Sequence, residues 1–82
     1  MDEGEILHSL GSRIRAQRKR IRLTQEQLAL VAEVDRSYFG AVERGERNIT
    51  FTVLCRLAIA LKCDVGELTA GLPQAIDSEI KG

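Results

Sequence analysis

The stretch VDRSYFGAVERGERN, residues 34–48, reads as one short helix and the loop after it. Asp35 is a natural N-cap, because its carboxylate can accept a free amide of the first turn. Gly45 can take the left-handed conformation that ends a helix. Phe39 and Val42, three residues apart, share one face and point inward, which turns the polar residues out. The first turn carries Arg36, Ser37 and Tyr38, poor core residues of which only Arg36 is a strong helix former. Arg44 and Arg47 stand on either side of the terminating glycine. The composition makes sense if the helix tip is presented outward, with arginines grouped behind it.

Working upstream, Thr24 and Gln27 have the spacing of a capping box, which starts a second short helix, TQEQLALVA. That helix buries Leu28, Ala29 and either Val31 or Ala32, and it breaks at Ala32-Glu33-Val34. Before it, Leu7, Leu10, Ile14 and Ile21 recur at helical intervals and predict a first helix from about Glu5 to Arg22, its outer face rich in arginine. Downstream, Thr50 starts a fourth helix, TFTVLCRLAIALK, whose Val53, Leu54, Leu57, Ala58 and Leu61 make it central to the core. Asp64 and Glu67 repeat the capping-box spacing for a fifth helix through Ala70, carrying Val65 and Leu68. No segment alternates apolar and polar residues as a half-buried strand would. The expected fold class is all-α, five compact helices in a single domain over residues 1–82, with a core from about 5 to 72 and a short, partly ordered tail over 73–82.

Eighty-two residues are too few for two independent cores, and 44% hydrophobic content is ordinary for a folded globule. No apolar run approaches the roughly 18 residues of a membrane span. The acidic MDEGEILHSL start is unlike a signal peptide, so a cytoplasmic location is expected. Cys55 and Cys63, eight apart on a helical stretch, are too distant for a disulfide and too few for a metal site, and read as small buried hydrophobes. His8 has no partner group nearby in the chain and receives no role. With no nucleophile beside a base, the chain is not expected to be an enzyme, and no metal or cofactor is expected.

Net charge is zero, yet its distribution is uneven. Residues 13–56 hold ten basic and five acidic side chains, while residues 1–12 hold three acids and no bases, and residues 57–82 two bases and four acids. The local field of the basic middle is what a polyanion would meet. Two short helices joined by a tight turn, the second opening with hydrogen-bonding side chains, are the physical form of a helix-turn-helix. The major groove, about 12 Å wide, admits such a helix, and its first turns reach the base edges. Arg36, Ser37 and Tyr38, with Ala41 one turn later, are therefore the expected base-reading residues. Arginine matches the paired acceptors of guanine, and serine can donate or accept.

The segment from Ile14 to Leu68 resembles the phage-repressor (Cro-like, XRE) helix-turn-helix family, through LTQEQLA, VDRSYFGAVERGERN and LCRLAIALKCDVGEL. Within it, DRSYFGAVERGERNIT looks most like the controller proteins of restriction–modification systems, small dimeric regulators that time endonuclease expression. The resemblance implies that Thr24 and Gln25, at the start of the second helix, contact the DNA backbone, Gln25 at a phosphate by a helix amino terminus. It implies that Arg47 and Asn48, with Arg44 before them, hold the DNA backbone, and that Arg18 and Glu43 form a buried ion pair joining the first helix to the third. Subunit contacts are implied near the carboxyl end, at Val65, Leu68 and Leu72; the other reading of these residues is that they close the monomer core. Three positions depart from the family pattern: Glu33 in the turn, where many relatives have glycine; Gly40 inside the third helix; and Ile49, where many have proline.

The function implied is a sequence-specific transcriptional regulator that binds a two-fold symmetric operator in double-stranded DNA as a homodimer, with RNA polymerase as a further partner if it activates. The alternatives are another small phage-type repressor, or a repressor-fold module that binds protein instead.

Overall fold

The computed structural model describes residues 1–73; the tail expectation falls on 74–82 for the most part, outside the described residues. Five helices follow one another, α1 (Glu3–Arg20), α2 (Gln25–Ala32), α3 (Arg36–Glu43), α4 (Phe51–Ala60) and α5 (Val65–Thr69), with no strand among the described residues.

Local chemistry explains where each helix begins. Asp2 caps α1 and forms a reciprocal box with Glu5, so the helix starts two residues before its expected first turn. It ends at Arg20 because Arg22 turns left-handed, at φ 62°. Thr24 Oγ1 accepts from Gln27 N at 3.1 Å while Gln27 Oε1 accepts from Thr24 N at 2.9 Å, the capping box read from the sequence. Asp35 caps α3, accepting from Tyr38 N at 3.0 Å. Thr50 caps α4 at 3.3 Å, and Glu67 accepts from the Asp64 amide at 3.4 Å to open α5.

Ile14, Leu28, Phe39, Leu57 and Leu61 form the fully buried centre, with Leu10, Val42, Leu54 and Leu68 around them. Fully burying one such side chain contributes roughly 1.5–3 kcal/mol. In α2 the open choice resolves to Ala32, which is buried, while Val31 is 61% exposed. Cys55 and Cys63 are free and only half-buried, a correction to their expected burial. Burial, then the carboxylates of Glu67 and Asp64, push the Cys63 thiol's pKa up, so it stays protonated.

α1 packs on α3 and α5, and α4 packs on α2 and α5. The α1–α3 contact is close because Gly11 has no Cβ: one placed there would lie 2.5 Å from the Val42 and Glu43 carbonyl oxygens. Gly45 closes α3 at φ 76° directly against the backbone of His8, another approach that a side chain would block. Two polar side chains of α1 tie it to distant helix ends. Arg13 Nη1 donates to the carbonyls of Leu68 and Ala70, and Gln17 Nε2 donates to Leu61 O at 2.9 Å. Arg13 thus caps α5 instead of belonging to a solvated basic face.

Candidate DNA-binding surface

The turn between α2 and α3 decides where the α3 tip points. Glu33 adopts the left-handed conformation, φ 57°, and the turn closes through Glu33 N to Leu30 O at 3.2 Å and Val34 N to Ala29 O at 3.0 Å. A non-glycine residue held there costs roughly 1 kcal/mol. Arg56 offsets part of that cost from α4: its Nη2 donates to Ala32 O at 2.9 Å and Glu33 O at 2.5 Å, satisfying carbonyls that the end of α2 leaves open. Nothing in the spacing of the chain marked Arg56 for this role, since the contact exists only once α4 lies across α2.

From that turn α3 projects Asp35, Arg36 and Ser37 into solvent. Tyr38 is half-buried against the core, and the Arg47 guanidinium lies over its ring, 5.1 Å from the centroid. This cation–π contact joins the tip of α3 to the loop after it, so the loop arginine stands beside the helix residues. Asn48 and Thr24 are exposed as well. Ala41 is not: it is 8% exposed and packed into the protein, so it offers no methyl group to a base and leaves the base-reading set. An alanine has no polar atom to betray its orientation, and its place on the helix wheel was ambiguous.

Behind the tip lies a buried ion pair. Arg18 Nε and Nη2 donate to the two Glu43 carboxylate oxygens at 2.6 and 3.0 Å, and Arg18 Nη1 donates to Leu23 O at 2.9 Å. The side chains are 10% and 2% exposed. The pair locks α1, the segment before α2, and α3 into one register. Gln25 completes the cluster, its Nε2 donating to Glu43 Oε1 at 2.9 Å. An ionised carboxylate only accepts, so the amide nitrogen must face it, and its second hydrogen is left for another acceptor. Arg15, Arg18, Gln25, Glu43 and Arg44 line a cleft at this point. Arg44 is exposed, its Nε 3.2 Å from Glu46.

The expected subunit contacts divide. Leu68 is 2% exposed within the monomer core, a correction to its place in an interface, while Val65 and Leu72 are half-buried. The large apolar side chains that the fold leaves exposed are Leu30, Val31, Phe51 and Ile59. No group of three or more metal-ligating side chains occurs among the described residues, and no helix there is long and apolar enough to cross a membrane.

These features are those of a helix-turn-helix protein, and the chain belongs to that family: the family model HTH_3 (helix-turn-helix) matches residues 14–68. Its members and this chain's homologues are DNA-binding transcriptional regulators. More narrowly, the chain is 42% identical over 64 residues to control protein C.SmaI of Serratia marcescens, covering 78% of this chain and 76% of that protein. Among solved structures it resembles the restriction–modification controller protein C.AhdI from Aeromonas hydrophila, at 44% identity and TM-score 0.74, covering 76% of this chain and 94% of that one. The restriction–modification controller protein C.Esp1396I is also similar, at 26% identity and TM-score 0.72 over 94% of this chain and 96% of that one.

Proposed function

We propose that this regulator is a restriction–modification controller that binds a two-fold symmetric operator as a homodimer. The observation that carries the reading is the exposed α3 tip, where Arg36 and Ser37 stand free beside the Tyr38–Arg47 stack. Arg36 and Ser37 meet base edges in the major groove. Arg44, Arg47, Asn48, Thr24 and Gln25 hold the sugar-phosphate backbone on either side, which sets register without reading sequence. Tyr38 keeps Arg47 extended toward the DNA. The likeness to C.SmaI and C.AhdI supports the controller role.

Regulation then follows from occupancy: the bound dimer blocks polymerase at one promoter or contacts it at another. The two reading helices of a dimer must lie about 34 Å apart to enter successive major grooves on one side of the duplex. The subunit contact must therefore sit away from α3. The face of α4 bearing Phe51 and Ile59, eight residues apart and 69% and 77% exposed, is apolar and open for that contact.

Selection of bound duplexes from a random library at about 0.15 M salt tests the reading. A palindromic motif with half-sites one turn apart, found again beside the protein's own gene, is the expected result. A folded protein that enriches no sequence would overturn it.

A further inference from the structure

We propose that Arg15, Gln25 and Arg44 form a single seat for one backbone phosphate of DNA, and that Gly40, beneath it, is glycine in order to keep the seat open. The proposal rests on the DNA-binding reading above and deepens it, adding Arg15 and Gly40 to the surface that engages the duplex.

Glycine in the middle of an eight-residue helix is a cost without a local reason, since alanine favours the helix and no positive φ requires glycine at this position. The space around it supplies the reason. A Cβ at Gly40 would lie 3.3 Å from Arg44 Nη1 and 3.5 Å from Gln25 Oε1. Both side chains fold over the bare backbone of α3, arriving from two different elements. The same two residues line the cleft that Arg15 borders from α1, above the Arg18–Glu43 pair.

The charges in that cleft favour an anion. Glu43 is its one acid, and both its oxygens are taken by Arg18. Arg44 keeps Nη1 over Gly40 while its Nε faces Glu46 outside. Arg15 is exposed and contributes a second guanidinium. Gln25, held by Glu43, has one amide hydrogen left to donate. Two guanidinium groups and an amide N–H converging from α1, α2 and the end of α3 match the several acceptor oxygens of one phosphate. A Cβ at Gly40 would press on Arg44 Nη1, which must give by a few tenths of an ångström, and would meet Gln25 at ordinary contact distance; the guanidinium end is flexible, so the displacement would loosen the seat without breaking the fold.

The test uses a fluorescein-labelled mixed-sequence duplex of about 21 base pairs, two helical turns, with anisotropy read across a salt series. Each phosphate neutralised contributes about 0.9 to the slope of log K against log salt. The dimer sets two seats on one duplex, so if Arg15 and Arg44 share one phosphate in each subunit, the R15Q/R44Q double variant lowers the slope by about 1.8; a fall of about 3.6 means two separate phosphates per subunit and overturns the single seat. An unchanged slope in the double variant overturns the site altogether. R20Q, on the other side of α1 beside Cys63, leaves the slope unchanged, and a fall equal to that of the double variant would mean diffuse charge instead of a seat. G40A raises Tm by about 5 °C, from the helix preference of alanine, while weakening binding roughly five-fold, the loss of about one hydrogen bond to the phosphate. G40A binding as tightly as the wild type overturns the role of Gly40. Failure of the wild type to bind duplex at any salt sinks the DNA reading itself, a result distinct from all the others.

Discussion

Replacing Glu43 with alanine removes the acceptor for three hydrogen bonds at once, two from Arg18 and one from Gln25. Arg18 stays behind with its side chain 10% exposed and only Leu23 O, at 2.9 Å, as partner. Leaving one member of a buried pair uncompensated costs about 3–5 kcal/mol. Because Arg18 keeps the Leu23 carbonyl and a cleft opens beside it, the lower end of that range is expected, about 3 kcal/mol. A domain of this length has a total stability of roughly 4–12 kcal/mol, so the loss is a large fraction of it. With a urea m-value of about 1 kcal/mol/M, typical of small domains, the midpoint should fall by about 3 M in a denaturation followed by far-UV circular dichroism. A loss under about 1 kcal/mol would refute the argument, because it would mean that water reaches Arg18 freely. The double substitution Arg18→Met with Glu43→Leu separates stability from positioning. Burying matched apolar side chains in place of a charge pair is often neutral or stabilising, so the double variant should fold about as well as the wild type. It should still bind DNA more weakly, because Gln25 has lost the carboxylate that orients it. Wild-type affinity in the double variant would show that the pair positions nothing.

Arg36→Ala should cost about 1–3 kcal/mol of operator binding per half-site and relax base preference at one position of each, whereas Arg47→Ala should weaken every sequence alike and lower the salt slope by about one per subunit. Binding curves on operator and scrambled duplexes measure both; a uniform loss for Arg36→Ala, or an unchanged slope for Arg47→Ala, counts against the assigned role. Glu33→Gly should stabilise the fold by roughly 1 kcal/mol, since glycine takes φ 57° without strain, and a lowered Tm would contradict the strain argument. Ile59→Asp should sediment as a folded monomer if α4 carries the subunit contact, and a folded dimer would move the contact elsewhere. Leu68→Ala, by contrast, should lose about 2–5 kcal/mol of stability as a core cavity forms; near-neutral behaviour would return Leu68 to an interface.

Much of the fold was legible because its signals are local. Capping by Thr24, Asp35 and Thr50, the left-handed Gly45 and the burial of Phe39 and Val42 each depend on residues within a turn of one another. Helix ends were less legible: α1 begins at Glu3 because Asp2 and Glu5 make a box that its apolar spacing does not mark. The Arg18–Glu43 pair was anticipated through family resemblance, since twenty-five residues separate the partners and no periodicity links them.

Sequence alone determined that this chain forms five capped helices and that the third opens with Arg36, Ser37 and Tyr38, because propensity, capping and hydrophobic period act over three or four residues. It also determined the basic middle, which is a matter of counting charges. Only the tertiary structure decided which of those charges are free. Arg13 is spent on the end of α5, Arg56 on the turn after α2 and Arg18 on Glu43, while Arg36 and Arg47 face outward at the α3 tip. It decided, too, that Leu68 lies inside and Ile59 outside, and that Ala41 is buried. The reason is physical: an arginine's role depends on which carbonyl or carboxylate comes within about 3 Å of its guanidinium. That distance is set by helices packed across the chain, never by neighbours along it.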